Sequence, residues 1–139
     1  MKVHQEIVEI ETKGRGTYDV TARARKVVAA SGVTTGLCTV FCRHTSASLV
    51  IQENADPSVR RDMEVWIAKV APEDPTAYEH DAEGPDDMPS HLRSAMTRSS
   101  ESVPVHGGKL ALGTWQAIYL WEHRRRGHTR ELVVHVAGV

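Results

Sequence analysis

Residues 78–91, Tyr78-Glu79-His80-Asp81-Ala82-Glu83-Gly84-Pro85-Asp86-Asp87-Met88-Pro89-Ser90-His91, carry two imidazoles and five carboxylates. These are the ligand types that borderline divalent metals prefer. The spacing is less telling. His80 and His91 are too far apart for a helical H-E-x-x-H pair, two cysteines cannot make an all-cysteine finger, and no paired histidines follow Cys42 at finger spacing. On spacing alone a solvated acidic loop, with Asp87 capping a helix, outweighs a metal centre. A metal centre here needs a further ligand from elsewhere in the chain.

His44 is the first such candidate. It ends a strand-like run and is followed by Thr45 and Ser46, so an imidazole and two hydroxyls stand beside exposed backbone. A structural histidine that hydrogen-bonds the backbone fits the same placement equally well. The run Glu122-His123-Arg124-Arg125-Arg126-Gly127-His128 closes another strand with a carboxylate and three guanidiniums. Arginine forks match phosphate oxygens in a bidentate manner, whereas an ordinary solvated turn explains the same residues without a ligand.

Other motifs carry less. Gly107-Gly108-Lys109 is followed by Leu110 where a phosphate loop requires Ser or Thr, so a hairpin turn explains the glycines. Thr45, Ser46, Ser48 and Ser90 lack the G-x-S-x-G elbow that would present a nucleophile. Cys42 near His44 is a weak pair, since both side chains share a face only if both residues are extended.

The chain has 139 residues, 40% hydrophobic and 25% charged, with a formal net charge of −1. A chain of this length buries about two-thirds of its unfolded surface, so one folded domain spanning residues 1–139 is expected. The near-neutral charge supplies no positive field to gather nucleic acid or an anionic membrane. No apolar run resembles a signal segment or a membrane span, so a cytoplasmic protein is expected. Cys38 and Cys42 lie on one strand roughly 13 Å apart, too far for a disulfide, and read as reduced core thiols.

The elements that must position these residues follow from periodicity. Strands are predicted at 5–12, 36–43, 48–52, 101–105, 109–112, 115–122 and 131–137, with a Gly107-Gly108 turn between the fourth and fifth. Helices are predicted at 19–30, from Asp56-Pro57 to about Val70, and at 88–96 with Asp87 as its cap and His91 in its first turn. Residues 71–89, broken by Pro72, Pro75, Gly84, Pro85 and Pro89, form a long loop of the kind that is often functional. Strands at both ends and helices between them imply an α+β domain, mainly an antiparallel β-sheet or sandwich with a few short helices.

Three blocks then coincide. The first is Arg43-His44-Thr45-Ser46-Ala47-Ser48 leading to Glu53-Asn54. The second is His80-Asp81-x-Glu83-Gly84-Pro85-Asp86-Asp87-Met88-Pro89-x-His91. The third is Leu110-x-Leu112-Gly113-Thr114-Trp115-Gln116 running through Glu122-His123-Arg124. Together they resemble the YjbQ family, which carries the label secondary thiamine-phosphate synthase. The resemblance covers nearly the whole chain. It implies a homotrimer with a polar pocket where the His-rich blocks converge, binding a divalent metal or a small phosphorylated molecule or other anion. The family's polar set falls on His44, Asn54, His80, Asp81, Asp87, His91, Gln116, Glu122 and Arg124.

Two functions are compatible with that resemblance. One is an enzyme joining a pyrimidine-methyl pyrophosphate to a thiazole phosphate, in which departing pyrophosphate is stabilised as the carbon becomes cationic. His44, His80 and His91 would then hold the metal, zinc or, for a pyrophosphate substrate, magnesium. Asp81 or Glu122 would orient an imidazole, and Arg124 would neutralise a phosphate beside Thr45, Ser46, Asn54 and Gln116. The other is a metal- or phosphate-binding module without turnover, consistent with the missing nucleophile motif.

Overall fold

The computed structural model describes residues 1–139 as eight strands and three helices. In order these are β1 (Lys2–Glu11), β2 (Gly16–Asp19), α1 (Thr21–Ser31), β3 (Thr35–Cys42), β4 (Ala47–Glu53), α2 (Pro57–Val70), α3 (Asp87–Met96), β5 (Ser100–His106), β6 (Lys109–Leu110), β7 (Gln116–Glu122) and β8 (Thr129–Gly138). They form a five-stranded sheet, β1-β8-β3-β5-β6, and a three-stranded sheet, β2-β7-β4. Every ladder is antiparallel, so the α+β expectation holds.

The period-two strands divide cleanly between two faces. β5 alternates exposed and buried residues along its length, and β8 does so over most of its own. Their inward residues, with Val8, Ile10, Val40, Ile118, Leu120 and the α1 residues Ala24, Val27 and Val28, make one continuous core. α1 ends where Gly32 adopts φ 69°, the left-handed conformation that glycine reaches without a Cβ penalty.

β7 differs, because all but its first residue are buried. Ile118 and Leu120 face the core between the sheets. On the other face Tyr119 lies under the Arg60 guanidinium of α2, 4.7 Å from its ring centre, and the Trp121 indole N–H donates to Glu64 at 2.7 Å. A strand covered on both sides reads as an unbroken apolar run, which Ala117 to Trp121 is.

Four points differ from the sequence-based expectation. β2 was not anticipated, and the helix that was to begin at Asp19 begins at Thr21, whose N–H is accepted by the Asp19 carboxylate at 2.9 Å. The strand expected at 109–112 shrinks to two residues. Asp87 is not a cap: Asp86 stands at the N-cap position without making a side-chain cap bond, and Asp87 is the first helical residue. Cys38 and Cys42 are both free and buried.

Candidate metal centre

α3 begins inside the acidic loop, and its first turn is turned inward. Asp87 and His91 are four residues apart, so they share one helix face. The Asp87 Oδ2 atom meets His80 Nε2 at 2.7 Å and His91 Nε2 at 3.2 Å. Its Oδ1 atom accepts from Arg124 Nη1 at 2.9 Å. The Asp87 side chain is 2% exposed, against 49% for His80 and 30% for His91, so a buried carboxylate sits behind two accessible imidazoles. Burial alone would raise the Asp87 carboxyl pKa. The His80 hydrogen bond, with the charges of His91 and Arg124, instead holds it below its ordinary value.

The neighbouring acid is neutralised in the same way. Asp86 Oδ2 accepts from Arg124 Nε and from the Arg125 N–H, both at 2.9 Å. Burial opposes the shift, yet this fork brings the Asp86 carboxyl down to about 2. Arg124 Nη2 also donates to the Glu83 carbonyl at 3.0 Å. The guanidinium is therefore bound on all three nitrogens. It positions the acidic loop and has no fork to offer a phosphate.

His91 has a fixed tautomer. Its Nδ1 lies 2.8 Å from the Thr45 carbonyl, which can only accept, so Nδ1 carries the proton. In the neutral ring Nε2 is then a lone pair, and it faces the Asp87 carboxylate. Two acceptors pointed at each other require a cation between them or a proton on Nε2.

His44 is not part of this cluster. Its Nε2 accepts the Glu131 N–H at 2.7 Å, so the neutral ring carries its proton on Nδ1 and has no lone pair left for a metal. Burial and then the Arg130 charge lower its pKa, which keeps it neutral. The three groups that come together are His80, Asp87 and His91, whose ligand atoms all lie within 4.8 Å of one another. His44 and His91 do line a common cavity of about 500 Å³, with Thr45, Ser94, Thr97 and Ser99.

Tetrahedral zinc with bonds near 2.1 Å sets its ligand atoms about 3.4 Å apart. The Asp87–His91 separation of 3.2 Å is close to this, and the His80–Asp87 contact of 2.7 Å needs to open by about 0.7 Å. The Thr45 carbonyl and Arg124 hold His91 and Asp87 from behind, and would orient both side chains toward a bound ion. His80, Asp87 and His91 would suit a divalent ion as a His–Asp–His ligand set.

The remaining expected residues lie elsewhere. Glu122 is fully buried, accepting from Thr12 Oγ1 at 2.7 Å and Arg130 Nε at 2.8 Å, and it also pairs with Arg130 Nη2. Burial opposes ionisation, but Arg130 and Thr12 hold its pKa below the ordinary value. Arg130 also binds the Ser46 hydroxyl at 3.0 Å, so Glu122 and Ser46 belong to an internal ion-pair network. Asn54 donates to the Thr114 carbonyl at 3.4 Å, and Gln116 accepts the Gly113 N–H at 2.8 Å. Both stand at the opposite end of the β4–β7 ladder from Glu122, since Ala47 pairs Glu122 and Glu53 pairs Gln116. Six residues of strand put about 20 Å between those ends. Asp81 is exposed beside His80 and holds no side-chain partner.

Sequence reasoning missed one buried pair. His123 Nε2 and Ser48 Oγ are 2.8 Å apart and both residues are 0% exposed, while His123 Nδ1 has no partner. Trp121, two residues before His123 on the same strand face and paired with Ser48 across the ladder, is the signal that both polar residues share a covered face.

The chain matches the family model described as UPF0047 protein YjbQ-like over residues 6–139. It is 56% identical over 135 residues to UPF0047 protein sll1880 of Synechocystis, covering 97% of this chain and 92% of that one. It is 44% identical over 136 residues to UPF0047 protein YjbQ of Salmonella typhimurium, covering 97% and 98%. Among solved structures, an uncharacterized conserved protein of the yjbq/upf0047 family from Clostridium acetobutylicum superposes with a TM-score of 0.84 at 37% identity, covering 94% of this chain and 99% of that one.

Proposed function

Because the chain belongs to the YjbQ-like UPF0047 family, we propose that it binds a divalent metal through His80, Asp87 and His91 and acts on a small molecule held in the adjoining cavity. The observation that carries this reading is the His91 ring, whose Nδ1–H is committed to the Thr45 carbonyl while its Nε2 lone pair faces a buried carboxylate. A proton on Nε2 satisfies the same geometry, and metal titration separates the two.

The reaction implied by the family resemblance joins a pyrimidine-methyl pyrophosphate to a thiazole phosphate and releases pyrophosphate. A bound divalent ion would supply charge neutralisation for the departing pyrophosphate. The chain's own residues divide the other tasks. Asp87 is aimed by Arg124, His91 is aimed by the Thr45 carbonyl, and His44 presents a neutral Nδ1–H as a hydrogen-bond donor to a ligand oxygen. The only Ser–His pair is sealed in the interior, which favours a binding module without turnover as the second reading.

Metal analysis of untagged protein by mass spectrometry, with zinc and magnesium titrations of the chelator-treated form, is the test. About one equivalent bound by the unmodified chain and none by His91→Ala is expected. Absence of binding to either metal would leave the protonated imidazolium as the correct account. Thiamine phosphate formation assayed beside His44→Asn then separates turnover from mere binding.

The homotrimer that the resemblance implies has a suitable surface. On the outer face of the five-stranded sheet, Val3, Ala137 and Leu37 form one cross-strand row, and Ile7, Val133 and Phe41 another. Val3 and Ile7 are 63% and 58% exposed, and Leu37 and Phe41 are 45% and 46% exposed. An apolar sheet face of this kind is what a second copy of the chain would cover.

A further inference from the structure

Arg124 beside the His–Asp cluster and Arg130 in the interior are saturated by Asp86, Asp87 and Glu122. Guanidinium groups with free donors gather instead where the edge strand β2 meets the first turns of α2. There Arg15, Gly16, Thr17, Arg60, Arg61 and Glu64 line a cavity of about 350 Å³. Three cations face one carboxylate.

That carboxylate is already committed. Glu64 accepts the Trp121 indole N–H at 2.7 Å on one oxygen and meets the buried Arg93 at 3.5 Å on the other. Asp56, whose carboxylate also feels the charges of Arg61 and Arg60, accepts from both the N–H and the hydroxyl of Ser58. Arg15 is paired with Glu73 and Glu64 with Arg93, which leaves Arg60 and Arg61 as the lining cations without an ion-pair partner.

Two of the arginines are also held in place. Arg60 is clamped over the Tyr119 ring and donates through Nη1 to the Glu53 carbonyl at 2.8 Å. Arg15 donates through Nε to the His123 carbonyl at 3.1 Å and pairs with Glu73. Arg61 is exposed and carries no hydrogen bond or ion pair. A side chain fixed before binding loses less rotamer entropy when a ligand arrives.

The backbone adds donors of its own. β2 pairs only with β7, so alternate N–H groups of β2 point away from the sheet. Gly16 and Thr17 of that edge line the cavity, and nothing lies within 4 Å of where a Gly16 side chain would begin. Fixed guanidiniums, unpaired peptide N–H groups and room for a small organic molecule are the ingredients of an oxyanion site.

We propose that the β2–α2 cavity binds a small phosphate-bearing molecule, its phosphoryl oxygens held by Arg61, by the free nitrogens of Arg60 and Arg15, and by the outward N–H groups of β2. This site is separate from His80, Asp87 and His91 and does not depend on a metal there.

The test is calorimetric titration of inorganic phosphate and pyrophosphate into the chelator-treated full-length chain at low ionic strength. Saturable binding is expected, tighter for pyrophosphate. Arg61→Gln, an exposed position whose change leaves the fold intact, should weaken it about tenfold, the worth of one charge-assisted contact. Glu64→Gln should tighten it, and His91→Ala should leave it unchanged. No saturable heat, equal affinity in the unmodified chain and Arg61→Gln, or loss of binding in His91→Ala would each overturn the proposal, the last by moving the anion to the metal centre.

Discussion

The buried imidazole of His123 makes the folded chain sensitive to mild acid in a way that can be worked out. The ring is 0% exposed, with one nitrogen on the Ser48 hydroxyl and the other without a partner. Burial, with the charges of Arg93, Arg130 and Arg15, pushes its pKa from 6.5 down to about 3. Between those values the unfolded chain binds a proton that the folded chain refuses, so stability falls as pH drops through the unfolded pKa and levels off near the folded one. At about 1.36 kcal/mol per unit, the step from pH 7 to pH 5 costs about 2 kcal/mol. His123→Gln keeps a group that can meet Ser48 and removes the titration. Urea unfolding at fixed protein concentration, at pH 7 and pH 5, should show the unmodified chain losing about 2 kcal/mol more than the variant. Other acid-sensitive groups, including His44, are common to both proteins and cancel in the difference. The carboxylates whose pKa values are lowered titrate mainly below this window. A difference that stays under about 0.5 kcal/mol would refute the neutral buried imidazole, as would NMR showing His123 as an imidazolium, protonated on both ring nitrogens, at pH 5.

Three further outcomes are expected. Arg130→Met leaves Glu122 charged, buried and short of its main partner, and should cost about 3–5 kcal/mol in urea unfolding, whereas replacing Glu122 and Arg130 together with apolar residues should recover much of that loss. Arg124→Met frees the Asp87 carboxylate from its orienting contact and should weaken zinc binding by about ten- to a hundredfold by competition titration, with His80 and His91 intact. Phe41→Glu places a charge in the outer apolar row and should shift light-scattering mass from an oligomer to the monomer while the circular dichroism spectrum stays unchanged; an unaltered mass would remove that face as the assembly surface.

The elements that were legible are those whose pattern is local. β5, most of β8 and the second half of β1 alternate because one face of each meets the core, and α2 carries Asp56-Pro57 at its start, where the Asp56 side chain accepts the Ser58 N–H. β2 was not legible. Gly-Thr-Tyr-Asp contains no aliphatic residue, and it becomes a strand only because β7 offers it an edge. The same division runs through the site. The density of His and Asp in residues 78–91 singled out the right segment, yet the roles inside it depend on distant partners. Which ring nitrogen of His44 is free is decided by a backbone N–H of Glu131, 87 positions away. Which oxygen Asp87 offers the imidazoles is decided by Arg124, 37 positions away.

Those distant partners also change the reason for expecting a cation. Five acids in one loop repel one another and disfavour an anion, an objection that a divalent cation would remove. The structure supplies that relief itself, because Arg124 lies across Asp86 and Asp87 and Arg125 adds a backbone donor. Total loop charge therefore says little about a metal. What remains unrelieved is local: one lone pair on His91, fixed by the Thr45 carbonyl, facing a carboxylate that is 2% exposed. The electrostatic case for an ion rests on that contact. It follows that replacing Asp81 or Glu83, which lie in the same loop but outside the contact, should leave metal affinity nearly unchanged, whereas Asp87→Asn should abolish it.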